Sequence, residues 1–509
     1  MTTAPVWSFD PRTGDRRAQV TLEASPEEVD AAVRGAAASM SALADRTVRA
    51  ALLREAAELM EKEADALVTT ADAETALGPV RLRGELARSC HQLRSFANLV
   101  DEGGFLDVII DHPDDTATPP VPDLRRYKVP LGVVAVYAAS NFPFAFSVPG
   151  GDTASALAAG CPVVIKAHPD HPATSELAAR LLREAARRHG VPDEAIGLVH
   201  GFDAGVQLVR HPLVAAAGFT GSVRGGRALF DAAAARPVPI PFHGELGSLN
   251  PVVITEAAAG ERAEELGTGL AGSMTLGVGQ FCVKPGLVLV PANPGGDRLL
   301  KALEESVAAT GPGVLLDHRM HENFVEGVTA RTGLSGVSAP VTAGAVSDRT
   351  VRAGVLTVAA AALAEEGDHD LLLEECFGPV TVVARYENDD EAHAVLARLP
   401  GNLTATVHLS SEEKAGHGDG ARLLEALVPL AGRVLVDAWP TGVAVAPAQH
   451  HGGPYPATTS TSTSVGGTAV ERWLRPVVYQ NTPEALLPAE LRDSNPLGLP
   501  RRVDGRRDA

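Results

Sequence analysis

Cys282 stands in Gly-Val-Gly-Gln-Phe-Cys-Val-Lys-Pro-Gly, residues 277–286, and the acid Glu245 stands upstream in His-Gly-Glu-Leu-Gly-Ser-Leu-Asn-Pro. A cysteine flanked by glycines and followed by Pro-Gly suits a packed core poorly and an exposed nucleophile well, because the loop lets substrate approach the backbone. A thiolate adds readily to a carbonyl carbon. A thiol of ordinary pKa, about 8.5, is mostly protonated at neutral pH and needs a base or a positive field. Glu245 is the candidate base: a carboxylate between two apolar faces is expected to have a raised pKa, which suits it to take a proton from the thiol or from a hydrolytic water. Asn141, in Ala-Ser-Asn-Phe-Pro-Phe at the end of an apolar run, is the right residue type to donate an amide hydrogen bond to an oxyanion. Alone, Asn-Phe-Pro is also an ordinary turn signal.

Two further segments bear on a nucleotide. Lys166 closes Pro-Val-Val-Ile-Lys, so its ammonium is expected at the carboxyl edge of a sheet, where doubly wound folds bind nucleotides; the alternative is a solvated surface amine. Gly221, Ser222 and Gly226 lie in Gly-Phe-Thr-Gly-Ser-Val-Arg-Gly-Gly, ahead of a helix expected over 227–235, and glycines there let a helix N-terminus approach a pyrophosphate. The spacing is not Gly-x-Gly-x-x-Gly, and taken alone it is a weak signal. Cys90, Cys161 and Cys376 have no loop setting that suggests reactivity, and no Cys-x-x-Cys occurs, which fits reduced thiols in a cytoplasmic protein. No histidine or acidic spacing suggests a metal, and Asn402-Leu403-Thr404 is read as a chance match to a glycosylation triplet.

The elements that must position these residues alternate in type. Residues 25–75 read as amphipathic helix, started by Ser25-Pro26-Glu27-Glu28. From 131 a strand, a small-residue helix over 151–160, a second strand ending at Lys166 and a helix over 173–189 imply a parallel sheet covered on both faces. A second series begins after 250, with strands at 252–254, 287–290, 380–384, 405–409 and 433–436 and helices at 256–274, 296–309, 389–398 and 418–429. The join near 246 therefore places Glu245 and Cys282 on either side of a cleft between two units, the usual position of a ligand. The Pro-rich 112–130 and the strand-like 474–479 fit neither unit, and the end of the chain, rich in Arg, Asp, Gly and Pro, is expected to be loosely ordered.

A chain of 509 residues with 45% apolar and 21% charged residues can fill more than one core. Its net charge of −19, with no basic cluster before Arg501, Arg502, Arg506 and Arg507, argues against a nucleic-acid partner. The longest apolar stretches are far short of a membrane span.

In this order and at these separations, the Cys282, Glu245, Asn141, glycine-loop and Glu-Glu-Cys-Phe-Gly-Pro-Val (374–380) segments resemble the aldehyde dehydrogenase superfamily along almost the whole chain. The resemblance implies an α/β fold with a Rossmann-like cofactor unit over 1–111 and 131–246. It also implies a second α/β catalytic unit over 247–455, oligomerisation strands in 112–130 and 465–485, and a tail over 486–509. It implies Cys282 as nucleophile, Glu245 as base, Asn141 with the Cys282 N–H as oxyanion donors, and Gly221, Ser222 and Gly226 beside the pyrophosphate. Glu375 would hold the nicotinamide ribose, Phe377 would pack near the nicotinamide, and the subunits would form a homodimer or homotetramer. Ser-Val-Pro-Gly-Gly-Asp-Thr (147–153) and His-Gly-Gly-Pro-Tyr-Pro-Ala-Thr (451–458) are similar to a branch containing NADP-preferring 2-oxoglutarate semialdehyde dehydrogenases and bacterial fatty aldehyde dehydrogenases. The expected cofactor is NADP, with NAD possible, because Pro169 stands where NAD-specific relatives carry a glutamate. Val283-Lys284 replaces the Thr-Asn common after the cysteine, and Lys284 is expected to face either the cleft or solvent. His451 aligns with a histidine that some relatives place near the thiol. The implied reaction is oxidation of an aldehyde, such as a semialdehyde, to a carboxylic acid. The alternatives are a fatty or broad-range aldehyde dehydrogenase, acyl transfer to coenzyme A, and, in another class, a cysteine hydrolase or esterase.

Overall fold

The apolar run Val133–Tyr137 is buried at every position. It forms the centre of a five-stranded sheet in the order Ile196–Val199, Val163–Lys166, Val133–Tyr137, Val214–Thr220, Phe242–Glu245. Every pairing in it is parallel, as in the other strongly apolar sheets whose two faces are both covered. From Val133–Tyr137 the chain steps out to one side and then returns to the other, so the topological switch point lies between Val133–Tyr137 and Val214–Thr220. The turn after the first of these strands carries Asn141, and the turn after the second carries Gly221 and Ser222. This computed structural model describes residues 4–508.

A seven-stranded sheet follows, ordered Ser338–Val341, Gly354–Ala359, Val380–Tyr386, Leu287–Pro291, Val252–Ile254, Asn402–His408, Ala431–Val436. Only the edge strand Ser338–Val341 runs antiparallel. Asn402–His408 is buried throughout although four of its seven residues are polar. Asn402, fully buried, spends its amide on the backbone: its Oδ1 accepts from the N–H groups of Leu249 and Asn250, 2.9 Å each. It is therefore closed to glycosylation.

The stretch expected as one helix over 25–75 is three. A capping box between Ser25 and Glu28 starts Pro26–Ala38, Asp45 caps Arg46–Lys62, and Ala64–Thr75 follows. A 24-residue helix, Pro79–Glu102, comes next, packed through Leu82, Leu86, Leu93, Phe96 and Val100. The glycine-loop helix begins earlier than expected, spanning Val223–Ala234 with Ser222 as its N-cap.

Leu124–Pro130 and Leu474–Gln480 pair antiparallel as one edge of a separate five-stranded sheet. The expectation of a loose tail is corrected here: Arg501–Val503 pairs in parallel with Val108–Ile110, and Arg506–Asp508 folds back on it. Unpaired strand edges recruit backbone partners whatever the side-chain composition, which is why an Arg-, Asp- and Gly-rich segment is ordered. Among the described residues no helix is long and apolar enough to cross a membrane.

Candidate active site

Helix Glu256–Thr275 ends in Gly277, Val278 and Gly279, all in the left-handed region at φ +56°, +60° and +67°. For Val278, a β-branched residue, this conformation is strained, and it turns the chain sharply into Gln280-Phe281-Cys282. The loop is held from the second sheet. Asn250, itself left-handed at φ +54°, donates from Nδ2 to the carbonyls of Cys282 at 2.8 Å and Lys284 at 3.0 Å. Its Oδ1 accepts from the Ser248 and Thr404 hydroxyls. Asn250 was not singled out from the sequence, although an Asn before Pro251, with its tolerance of left-handed backbone, is the available signal.

Glu245 ends the last strand of the first sheet, and there the chain bridges to Thr458. That bridge draws in the 450s loop. His451 Nε2 lies 2.9 Å from Glu245 Oε1 and 3.6 Å from Cys282 Sγ, and Ser464 Oγ donates to Glu245 Oε2 at 2.6 Å. The His451 contact lies outside hydrogen-bond alignment, so Oε1 has no hydrogen-bond partner among the described residues. His451 and Glu245 are buried and Cys282 half-buried.

The electrostatics differ from the expectation at one point. Burial pushes the Glu245 carboxyl up, but His451, Ser464 and the thiol together outweigh it and hold the group below its ordinary value, not above. Burial pushes the Cys282 thiol well above its ordinary value; Glu245 and then Glu375 add to the shift, and Arg433 opposes it. The resting thiol is therefore protonated. The three donor atoms lie within 4.8 Å of one another, a closeness that no spacing in the sequence announced.

Lys284 faces neither cleft nor solvent. It is 2% exposed, and its Nζ donates to the carbonyls of Val380 at 2.6 Å and Cys376 at 3.2 Å. It fastens the Cys282 loop to the segment bearing Glu375 and Phe377. Burial raises the Glu375 carboxyl to about 7, with Lys284 and the Ser248 backbone opposing.

Asn141 is buried, and its Nδ2 donates to the Gln280 carbonyl at 3.0 Å. An amide carries two N–H groups, so one remains. Beside it a cavity of about 260 Å³ opens onto Cys282, walled by Phe142, Phe146, Phe281 and Val443 and by Arg81, Glu85 and Arg88 of helix Pro79–Glu102. The volume is just below the range typical of drug-sized ligands.

At the carboxyl edge of the first sheet, Lys166 is 8% exposed and has no ion-pair or hydrogen-bond partner among the described residues. Its ammonium sits over the Phe202 ring at 4.8 Å, burial brings its pKa down to about 8, and Arg319 lies over the same ring at 5.7 Å. Ser222 Oγ accepts from Gly225 N–H at 3.2 Å, leaving an exposed helix N-terminus at Gly221–Arg224. Gly226 is turned inward. A Cβ there would meet Leu246 at 2.1 Å, so its glycine serves the close packing of helix on strand. Phe377 is half-buried. An ammonium without an ion-pair partner, on a largely buried side chain, and an exposed helix N-terminus at a switch point fit the phosphates of a dinucleotide.

A chain with this pair of sheets and this Cys-Glu-His cluster is matched over residues 2–449 by the profile of the aldehyde dehydrogenase family, and it belongs to that family. Members oxidise aldehydes to carboxylic acids with NAD or NADP. The chain is 46% identical to alpha-ketoglutaric semialdehyde dehydrogenase 2 of Azospirillum brasilense over 90% of its own length and 87% of that protein. It is 41% identical to alpha-ketoglutaric semialdehyde dehydrogenase of Acinetobacter baylyi over 97% and 93%. Its fold superposes with a TM-score of 0.79, at 18% identity, on a glyceraldehyde-3-phosphate dehydrogenase of Methanocaldococcus jannaschii in complex with NADP, covering 94% of this chain and 100% of that one.

Proposed function

We propose that the protein oxidises a short ω-oxo carboxylic acid, of the class of 2-oxoglutarate semialdehyde, with Cys282 as nucleophile. The observation that carries this is the convergence of Cys282, His451 and Glu245 at the mouth of a small aromatic cavity that also holds two arginines. His451 Nδ1 is buried without a partner, so the tautomer that buries least unmet polarity has its proton on Nε2, facing both the sulfur and Glu245. In this reading Glu245 accepts the thiol proton on its free Oε1, and the His451 N–H stabilises the thiolate as it attacks the aldehyde carbon. The remaining Asn141 N–H and the Cys282 N–H receive the oxyanion. A nicotinamide cofactor bound beside Cys282 would supply the acceptor for the hydride. Glu245 then gives the thiol proton up to solvent, which its lowered pKa favours, and as a carboxylate again takes a proton from the water that hydrolyses the thioester, with the Cys282 sulfur as leaving group.

Lys166, Gly221, Ser222, Glu375 and Phe377 are proposed as the cofactor contacts, with NADP preferred. Pro169 puts no carboxylate at the ribose, burial and then Asp317 push the adjacent Asp170 carboxyl up to about 8 against Arg319, and Lys166 and Arg319 supply positive charge. The first sheet with its helices would be the cofactor unit and the second the catalytic unit. The exposed edge Leu474–Gln480 is the proposed subunit contact in a dimer or tetramer. The test is kcat/KM for 2-oxoglutarate semialdehyde and for unbranched aldehydes of equal length, each with NADP and with NAD. Better turnover of hexanal or longer aldehydes than of any semialdehyde would overturn the substrate assignment. NAD favoured by more than about tenfold, some 1.4 kcal/mol, would overturn the coenzyme assignment.

A further inference from the structure

Arg81, Glu85 and Arg88 fall at i, i+4 and i+7 on helix Pro79–Glu102, so one face of that helix forms the cavity wall opposite Cys282. Their hydrogen bonding is lopsided. Glu85 Oε1 accepts from the backbone N–H groups of Phe144 and Ala145 at 2.8 and 2.9 Å, and burial pushes this carboxyl up. Arg81 donates from Nη2 to the Asn141 carbonyl at 2.6 Å and lies over the Phe142 and Phe281 rings, which fixes it in place. Arg88 donates only from Nε, to the Val443 carbonyl at 3.2 Å, and rests over Phe146 at 5.4 Å. Both terminal nitrogens of Arg88, together with Nε and Nη1 of Arg81, are withdrawn from water and have no partner among the described residues.

Buried donors are almost always satisfied in folded proteins, and an unsatisfied guanidinium is the costliest exception. A guanidinium fork is also the group best matched to a planar carboxylate. Burial lowers the pKa of Arg88, while Glu85, Cys282 and Glu245 raise it; the cation thus lies within the electrostatic reach of the nucleophile. Arg88 lines the cavity, so its unpartnered fork belongs to the wall that the far end of a substrate held at Cys282 would reach.

We propose that Arg88, assisted by Arg81, binds the carboxylate at the far end of the substrate while its aldehyde lies against Cys282. This rests on the reading of the site as an ω-oxo-acid dehydrogenase. It makes the cavity selective through one bidentate anion contact in an otherwise aromatic wall.

The test compares 5-oxopentanoate with pentanal, which share a chain length and an aldehyde and differ in the distal carboxylate. In Arg88→Gln the ratio of kcat/KM for the acid to that for the aldehyde should fall roughly ten- to hundredfold, through KM. Arg88→Lys should recover part of the loss. A second arm needs no substitution: glutarate should inhibit wild-type turnover of pentanal competitively, and less so in Arg88→Gln. A wild-type enzyme that prefers the acid, paired with an Arg88→Gln variant that keeps the same ratio, would overturn this inference and leave the functional reading intact. A wild-type enzyme that prefers pentanal would overturn the functional reading, and glutarate inhibition then decides on the anion subsite alone. Absence of glutarate inhibition in wild type would count against Arg88 in every case.

Discussion

Replacing Lys284 by Met shortens a buried side chain by one atom, keeps it unbranched and removes its charge and its donors. Two carbonyls, of Val380 and Cys376, then lose a charged partner. Hydrogen bonds to charged groups contribute about 1.5–3 kcal/mol each, and relief of the buried ammonium offsets part of that. The net loss should be about 2–4 kcal/mol. For a cooperative unit of about 200 residues each kcal/mol moves the melting temperature by roughly 2–4 °C, so Tm should fall by roughly 4–16 °C. The second consequence concerns Glu375. Its carboxyl stands near 7 with Lys284 opposing the burial, so removing the ammonium moves it further up. At pH 7.5 a group of pKa 7 is roughly three-quarters ionised, and a rise of one unit leaves roughly a quarter. If the Glu375 carboxylate accepts hydrogen bonds from the ribose, cofactor KM in Lys284→Met should rise severalfold at pH 7.5 and recover toward wild type near pH 9. Differential scanning fluorimetry and cofactor titrations at the two pH values read both effects. An unchanged Tm with an unchanged cofactor KM would refute the role given to Lys284 as a tether between the nucleophile loop and the Glu375 segment.

Two further outcomes follow from the site. Because burial and the Glu245 charge raise the Cys282 thiol, its iodoacetamide alkylation, read on the Cys282 peptide by mass, should reach half its maximum above pH 9 in wild type. That midpoint should move down in Glu245→Gln, where the negative charge is gone, and a wild-type midpoint at or below about 8.5, the ordinary thiol value, would contradict the electrostatics. Asn250→Gly keeps the left-handed backbone free of strain but removes the amide that holds the Cys282 and Lys284 carbonyls. It should lower kcat by about tenfold or more through misplacement of the sulfur, and a wild-type kcat would show that the loop holds itself.

The sheets were legible where burial on both faces leaves an uninterrupted apolar run, as at Val133–Tyr137 and Leu287–Pro291. Cys282 and Glu245 were legible because glycine-rich settings isolate them. Helix Pro79–Glu102 was overlooked although Leu82, Leu86, Leu93, Phe96 and Val100 recur at helical spacing; seven charged residues interleave with them and mask the stripe. Arg81 and Arg88 went unnoticed with it. The partnership of His451 with Glu245 depends on a bridge to Thr458 across more than two hundred residues, and no local pattern encodes so distant a pairing. The raised carboxyl expected of Glu245 followed from burial alone. It failed because the neighbours that reverse it, His451 by its close approach and Ser464 by its hydrogen bond, arrive from the same distant loop.

The central claim is that Cys282 carries the acyl group and Glu245 releases it. Rapid mixing of Glu245→Gln with 2-oxoglutarate semialdehyde and NADP, followed at 340 nm and quenched for peptide mass analysis, tests both halves in one measurement. The account predicts a burst of reduced cofactor of up to one equivalent per active site, formed more slowly than in wild type because the thiol has lost its base but still faster than the thioester is hydrolysed. A steady state slowed by about a hundredfold or more should follow, with Cys282 carrying the mass of the acyl group. Turnover at the wild-type rate, or a burst with Cys282 unmodified and the acyl mass on another residue, would contradict it.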